Sequence, residues 1–148
     1  MSPDPARILI ADEDQSTRRF LSDNPAADDY TVTSAGSATA AIVLLAQDPF
    51  DLVLVDVNGE TLALLDRVRR GELDRVALDL PMFALTSIIA EHHRIRLFER
   101  GADEVQLKPY NYLELRLRVA ALLRRCGRSR AHRIRVGRLE LDPLNHDV

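Results

Sequence analysis

The sequence lacks the residues that several functional classes depend on. Cys126 is the only cysteine among 148 residues. That excludes an intramolecular disulfide framework and a cysteine zinc cluster. No apolar run approaches the roughly 18–20 residues needed to cross a bilayer. The opening MSPDPAR has no basic-then-apolar signal pattern, so a cytoplasmic protein with no membrane partner is expected. Internal repeats and low-complexity runs are also missing. Lysine is nearly absent: 19 arginines stand against the single Lys108. With arginine filling the generic positive positions, the one lysine marks a place where a compact ammonium is required.

What is present is a globular composition, 46% hydrophobic and 29% charged, of about one domain's length. The net charge of −3 hides an asymmetry. Residues 1–115 hold 20 acids against 11 bases, whereas residues 116–148 hold 3 acids against 9 arginines. An acidic body ends in a basic tail, which reads either as a solvated linker or as a segment lying near nucleic acid.

Short apolar runs alternate with segments of helical period. RILIA (7–11), YTVTS (30–34), DLVLVD (51–56), PMFALTS (81–87) and EVQL (104–107) read as strands. Helices are expected at about 15–24, from Ser37 to Asp48, to about Arg70, from Ile88 to Arg100 with Gly101 as its stop, and over 110–125. The last carries Tyr112, Leu115, Val119 and Leu122 on one stripe. DLVLVD is a near-continuous apolar run bounded by acids, the pattern of a strand covered on both faces. Five β–α units in succession predict an α/β fold with a doubly wound, five-stranded parallel sheet. Residues 126–138 (CGRSRAHRIRVGR) read as a linker, and IRVGRLELDP alternates like the start of a new β element. The helix at 38–47 carries no charge on any face; alanine richness or a contact surface would account for it.

In such a sheet, ligands sit outside the carboxyl ends of the strands. Those ends carry Asp12 and Glu13, Asp56, Thr86 and Ser87, and Lys108. Converging carboxylates repel unless a cation sits among them, and oxygen-only donors point to Mg²⁺. Asp12 and Glu13 would hold the ion, with Asp56 and the backbone carbonyl of Asn58 adding oxygens. The Lys108 ammonium and the Thr86 hydroxyl suit a dianionic phosphoryl group, with Asp56 as the acceptor. His92 and His93 sit side by side on an expected helix and read as surface residues.

These pieces resemble the receiver domain of bacterial two-component response regulators: ILIADED, DLVLVD, MFALTS and GADEVQLKPY. The resemblance covers residues 6–125. ELRLRVAALLRR and IRVGRLELDP are similar to the OmpR/PhoB-type subfamily, in which a winged-helix DNA-binding domain follows. It implies a flavodoxin-like sheet of order 2-1-3-4-5 and a receiver over 1–125. A basic linker over 126–133 and the start of a DNA-binding domain over 134–148 would follow. It implies a phosphoryl group passed from a sensor histidine kinase to Asp56 with Mg²⁺, without turnover of a substrate. It implies homodimerisation through the helix at 88–100, the strand at 104–107 and the helix at 110–125, with Arg94, Asp103, Glu104, Glu114, Arg118 and Arg125 at matching positions. Thr86 and Val105 occupy its switch positions.

Two departures stand out. VNGETLALLD reaches its helix about three residues early, without the usual proline and Asp-Gly pair. Val105 replaces the aromatic ring that normally swings inward with the threonine. Both favour an alternative, a receiver-like dimerisation module that needs no phosphorylation. A third reading, a haloacid dehalogenase-type phosphatase, rests on DVNGETL at 56–62, but Asn58 stands where a proton-donating aspartate is required.

Overall fold

In the computed structural model of the chain, the described residues are 5–12, 30–57 and 59–140, with side chains through Cys126. The expected helix at 15–24, Glu13 and Asn58 lie outside them. The elements in chain order are β1 (Ala6–Ala11), β2 (Tyr30–Ala35), α1 (Ala38–Gln47), β3 (Leu52–Asp56) and α2 (Gly59–Arg69). They continue with β4 (Met82–Thr86), α3 (Glu91–Glu99), β5 (Glu104–Leu107) and α4 (Tyr112–Glu140). The strands form one five-stranded sheet in the order β2-β1-β3-β4-β5, and every pairing is parallel. This is the doubly wound sheet that the alternation of elements predicts.

Side chains along each strand alternate between two buried faces. Leu9, Ala11, Val53, Val55, Met82, Ala84 and Val105 belong to one core, together with Leu45 of α1, Leu64, Leu65 and Val68 of α2, and Leu97 of α3. Ile8, Ile10, Leu52, Leu54, Phe83 and Leu85 face the other way and pack with Leu115, Val119 and Leu122 of α4. Each fully buried leucine or isoleucine contributes about 1.5–3 kcal/mol, so the i, i+4, i+7 stripe of α4 suffices to seat it. Tyr112 does not join that stripe. It is 46% exposed and meets Tyr110 edge-to-face, ring centroids 5.6 Å apart.

Local signals account for most helix ends. The Ser37 hydroxyl accepts from Ala40 N–H at 3.1 Å and caps α1. The uncharged α1 buries Ala38, Ala41 and Leu45 while leaving Val43 half exposed, so its alanines are core contacts. α3 begins at Glu91 rather than Ile88. The Ile88 N–H donates to Thr86 Oγ1 at 3.2 Å, and this local bond holds the first residues after β4 in a turn instead of a helix. The backbone of 126–140 continues α4, where composition predicted a basic linker and the start of a strand. Arginine, alanine and leucine favour helix, and the first proline after Pro109 is Pro143.

At the amino end of the sheet, Arg69 ties α2 to two strands. Its guanidinium donates to the carbonyls of Gly101 (3.0 and 2.7 Å), Leu78 (2.8 Å) and Leu80 (2.7 Å) and pairs with Asp103 at 2.8 Å. The same Asp103 oxygen accepts from Met82 N–H at 2.8 Å. Gly101 closes α3 at φ +117°, and a Cβ there would lie 2.4 Å from Arg69 Cγ. Gly101→Ala should therefore cost at least about 2 kcal/mol, from backbone strain together with displacement of Arg69. Gly36 has nothing within 4 Å of its would-be Cβ, so Gly36→Ala should stay within about 0.5 kcal/mol. Urea unfolding midpoints measure both.

Candidate functional site

The parallel register brings the predicted groups to one edge. Ala11 pairs with Val55, so Asp12 is level with Asp56 on the neighbouring strand. Asp56 pairs with Leu85, and Thr86 pairs with Leu107, so Thr86 and Lys108 each sit one step further along. The ladder extends past the strand ends through Asp12 N–H to Ala35 O (3.0 Å), Val57 N–H to Leu85 O (2.8 Å) and Lys108 N–H to Thr86 O (2.8 Å). These bonds fix the backbone from which each functional side chain projects.

The Lys108 ammonium reaches across β4 to form an ion pair with Asp56 Oδ1. The Asp56 side chain is 13% exposed, and Asp12 and Thr86 are buried. Burial pushes the Asp56 carboxyl above the ordinary carboxylate range, and the neighbouring Asp12 adds to the rise through its charge and a hydrogen bond. Lys108 opposes both through its own hydrogen bond and charge. Two carboxylates and one ammonium thus share a site largely closed to water. Repulsion between oxygen donors is what a hard divalent cation relieves, so this donor set fits Mg²⁺. Among the described residues no three His, Cys, Asp or Glu side chains converge as a metal cluster; Glu13 and Asn58 lie outside that set.

Two contributors were not singled out by the sequence reading. Thr61, fully buried on α2, donates to the backbone carbonyl of Asp56 at 2.6 Å and anchors the residue after which the chain leaves the sheet. His93 is half-buried rather than a surface residue, and its Nε2 lies 3.1 Å from Thr86 Oγ1. Both lie within seven residues of their partners, but each contact depends on how the chain turns after a strand end. Val105 is buried in the core shared with Ala84 and Leu97.

The six residues expected at a dimer surface divide. Glu104 and Glu114 both pair with Arg118, at 3.4 and 3.2 Å. Glu104, Arg118 and Arg125 line one cavity of about 520 Å³ with Ala121 and Arg124. Arg94 is exposed on α3. Asp103 stands apart from this set, committed to Arg69 and the Met82 amide.

With this geometry in place, similarities to known proteins become specific. Residues 8–120 match the response regulator receiver domain family. The chain is 32% identical to the response regulator MprA of Mycolicibacterium vanbaalenii over 97% of its own length and 63% of that protein's. It is 31% identical to the phosphate regulon transcriptional regulatory protein PhoB of Pseudomonas aeruginosa, over 95% of this chain and 62% of PhoB. It therefore spans about three-fifths of the length of these relatives. Among solved structures, the non-phosphorylated HemR receiver domain of Leptospira biflexa aligns with a TM-score of 0.67 at 29% identity, covering 80% of this chain and 94% of that one. The Francisella response regulator 1452 receiver domain, at 22% identity, shares the fold with a TM-score of 0.71, covering 81% and 98%. Among the described residues no helix is long and apolar enough to cross a membrane. A parallel 2-1-3-4-5 sheet, an acid–lysine pair at its carboxyl edge and these relatives agree: the chain belongs to the response regulator receiver domain family and is related to the OmpR/PhoB-type transcriptional regulators.

Proposed function

We propose that Asp56 accepts a phosphoryl group from a sensor histidine kinase, and that this modification governs homodimerisation and DNA binding by a domain following the receiver. The observation that carries the reading is the Lys108–Asp56 ion pair, set beside Asp12 in a nearly closed site. An Asp56 carboxylate oxygen forms a bond to phosphorus as the phosphorus–nitrogen bond of a phosphohistidine breaks. The electron pair stays on the imidazole nitrogen. Water later cleaves the acyl phosphate and releases inorganic phosphate. Lys108 neutralises the phosphoryl oxygens and the Thr86 hydroxyl donates to one of them, so catalysis is mostly positioning and charge stabilisation. Asp12 and Asp56, with Glu13 and the Asn58 carbonyl, would hold Mg²⁺. Bound there, the ion supplies positive charge against the phosphoryl oxygens and favours the ionised form of Asp56.

The dimer reading rests on the edge of the sheet. Among the described residues β5 has a strand neighbour on one side only, and the helices flanking it expose Ile95, Phe98, Leu113 and Leu117. The Glu104–Arg118–Glu114 network lies beside them. A two-fold contact uses each such patch twice. The receiver spans 1–125, with the basic stretch over 126–133 leading to the DNA-binding part from 134 onward, and the setting is cytoplasmic.

Three outcomes are expected. Incubated with an acyl phosphate and Mg²⁺, the chain should gain one phosphoryl group by intact mass. Asp56→Asn should gain none, and Lys108→Arg should react about 100-fold more slowly. No uptake by the unaltered chain would favour the phosphorylation-independent dimerisation module instead.

The second concerns pH. Because the folded carboxyl of Asp56 is raised above its ordinary 3.8, the native state holds that proton more tightly than the unfolded chain. Its contribution to stability is complete below that value and is lost as pH rises through the raised one. In metal-free buffer Asp56→Asn should therefore be the more stable protein at neutral pH, and the advantage should vanish on acidification. Urea midpoints across pH check this, and added Mg²⁺ should narrow the gap by stabilising the unaltered chain.

The third concerns assembly. A single exposed pair is worth only about 0–1 kcal/mol, but Arg118 serves two acids. Arg118→Asp should weaken the dimer roughly tenfold or more and abolish its salt sensitivity in sedimentation velocity.

A further inference from the structure

Thr86 has one hydroxyl proton and two claimants for it. Its oxygen already accepts from the Ile88 N–H at 3.2 Å. Nε2 of His93 lies 3.1 Å away on α3, and with the imidazole proton on Nδ1 it accepts that hydroxyl proton. Thr86 also ends the strand beside Asp56, so an anion seated on Asp56 competes for the same proton. A hydroxyl cannot donate to both. A charged phosphoryl oxygen is the stronger acceptor, because hydrogen bonds to ionised partners are about twice as strong as neutral ones.

The consequence falls on α3. Among the described residues of this nine-residue helix only Leu97 is buried, and its N-cap, Ala90, has no side chain with which to cap it. Loss of the His93 bond removes one of few ties between α3 and the sheet. The helix also carries the exposed Ile95 and Phe98. Val105, on the strand beside β4, offers no polar group that could replace the tie.

We propose that His93 is a positioning residue. It holds the Thr86 hydroxyl, and with it α3, in the unmodified state, and a phosphoryl group on Asp56 takes that hydroxyl and releases the helix. The proposal rests on the acceptor reading of Asp56 given above.

Nuclear magnetic resonance on the ¹⁵N-labelled full chain tests it, in mildly alkaline buffer where imidazoles are ordinarily neutral. Beryllofluoride with Mg²⁺ serves as the phosphoryl mimic. In the free protein, His93 should carry its proton on Nδ1 with Nε2 accepting. The mimic should change the Nε2 signal and speed amide exchange in α3 about five- to tenfold. His93→Ala should show that faster exchange without the mimic, Thr86→Val should match it, and the double variant should add nothing further. His93→Gln, which can still accept a hydrogen bond, should restore part of the protection. Unchanged α3 exchange in His93→Ala, or effects of the two substitutions that add, would overturn the proposal while leaving Asp56 as acceptor. If the mimic perturbs no signal around Asp56, the acceptor reading fails and the switch fails with it.

Discussion

Two like-charged carboxylates held side by side with little access to water are an expensive arrangement, and the carboxyl edge of this sheet is organised around that cost. Parallel pairing makes the crowding unavoidable. Asp12 and Asp56 end adjacent strands at the same level, and burial deprives Asp56 of the water that would otherwise screen them. A Lys108 ammonium two strands away is brought in as counter-charge. Among the described residues, one ammonium faces two carboxylates there. The single lysine of the chain stands at this point. A guanidinium would be broader and differently hydrated, whereas an ammonium acts as a point charge in a narrow space.

The two ends of the sheet divide the work. At the amino end, Arg69 gathers three carbonyls and Asp103 into one fixed cluster, and Gly101 is required because any side chain would strike that guanidinium. This end holds α2, β4 and the turn after α3 rigidly in place. At the carboxyl end the links include a threonine hydroxyl, an imidazole and a short helix with one buried side chain. The commitment of Asp103 to the rigid end also narrows the charged surface beside β5 to Glu104, Glu114, Arg118 and Arg125.

Much of this was legible in the sequence because it depends on local or periodic rules. Alternating apolar runs and helix-period segments specify parallel β–α units, and parallel units specify which end carries the chemistry. Asp12, Asp56, Thr86 and Lys108 could be named from strand ends alone, and Gly101 from helix termination. Tertiary packing decided the rest. Whether His93 faced water or Thr86 depended on where α3 began, and that was set by a bond from Ile88 to Thr86 rather than by helix propensity. Tyr112 fell off its expected stripe because α4 needs only Leu115, Val119 and Leu122 to cover its face of the sheet. Asp103 looked like a surface acid until Arg69, 34 residues away, was placed beside it. The amino-acid order determined which elements form and which groups meet at the strand ends, since those follow from nearest neighbours and period. Partnerships across helices required the folded chain, because distances between side chains far apart in sequence are set by packing alone.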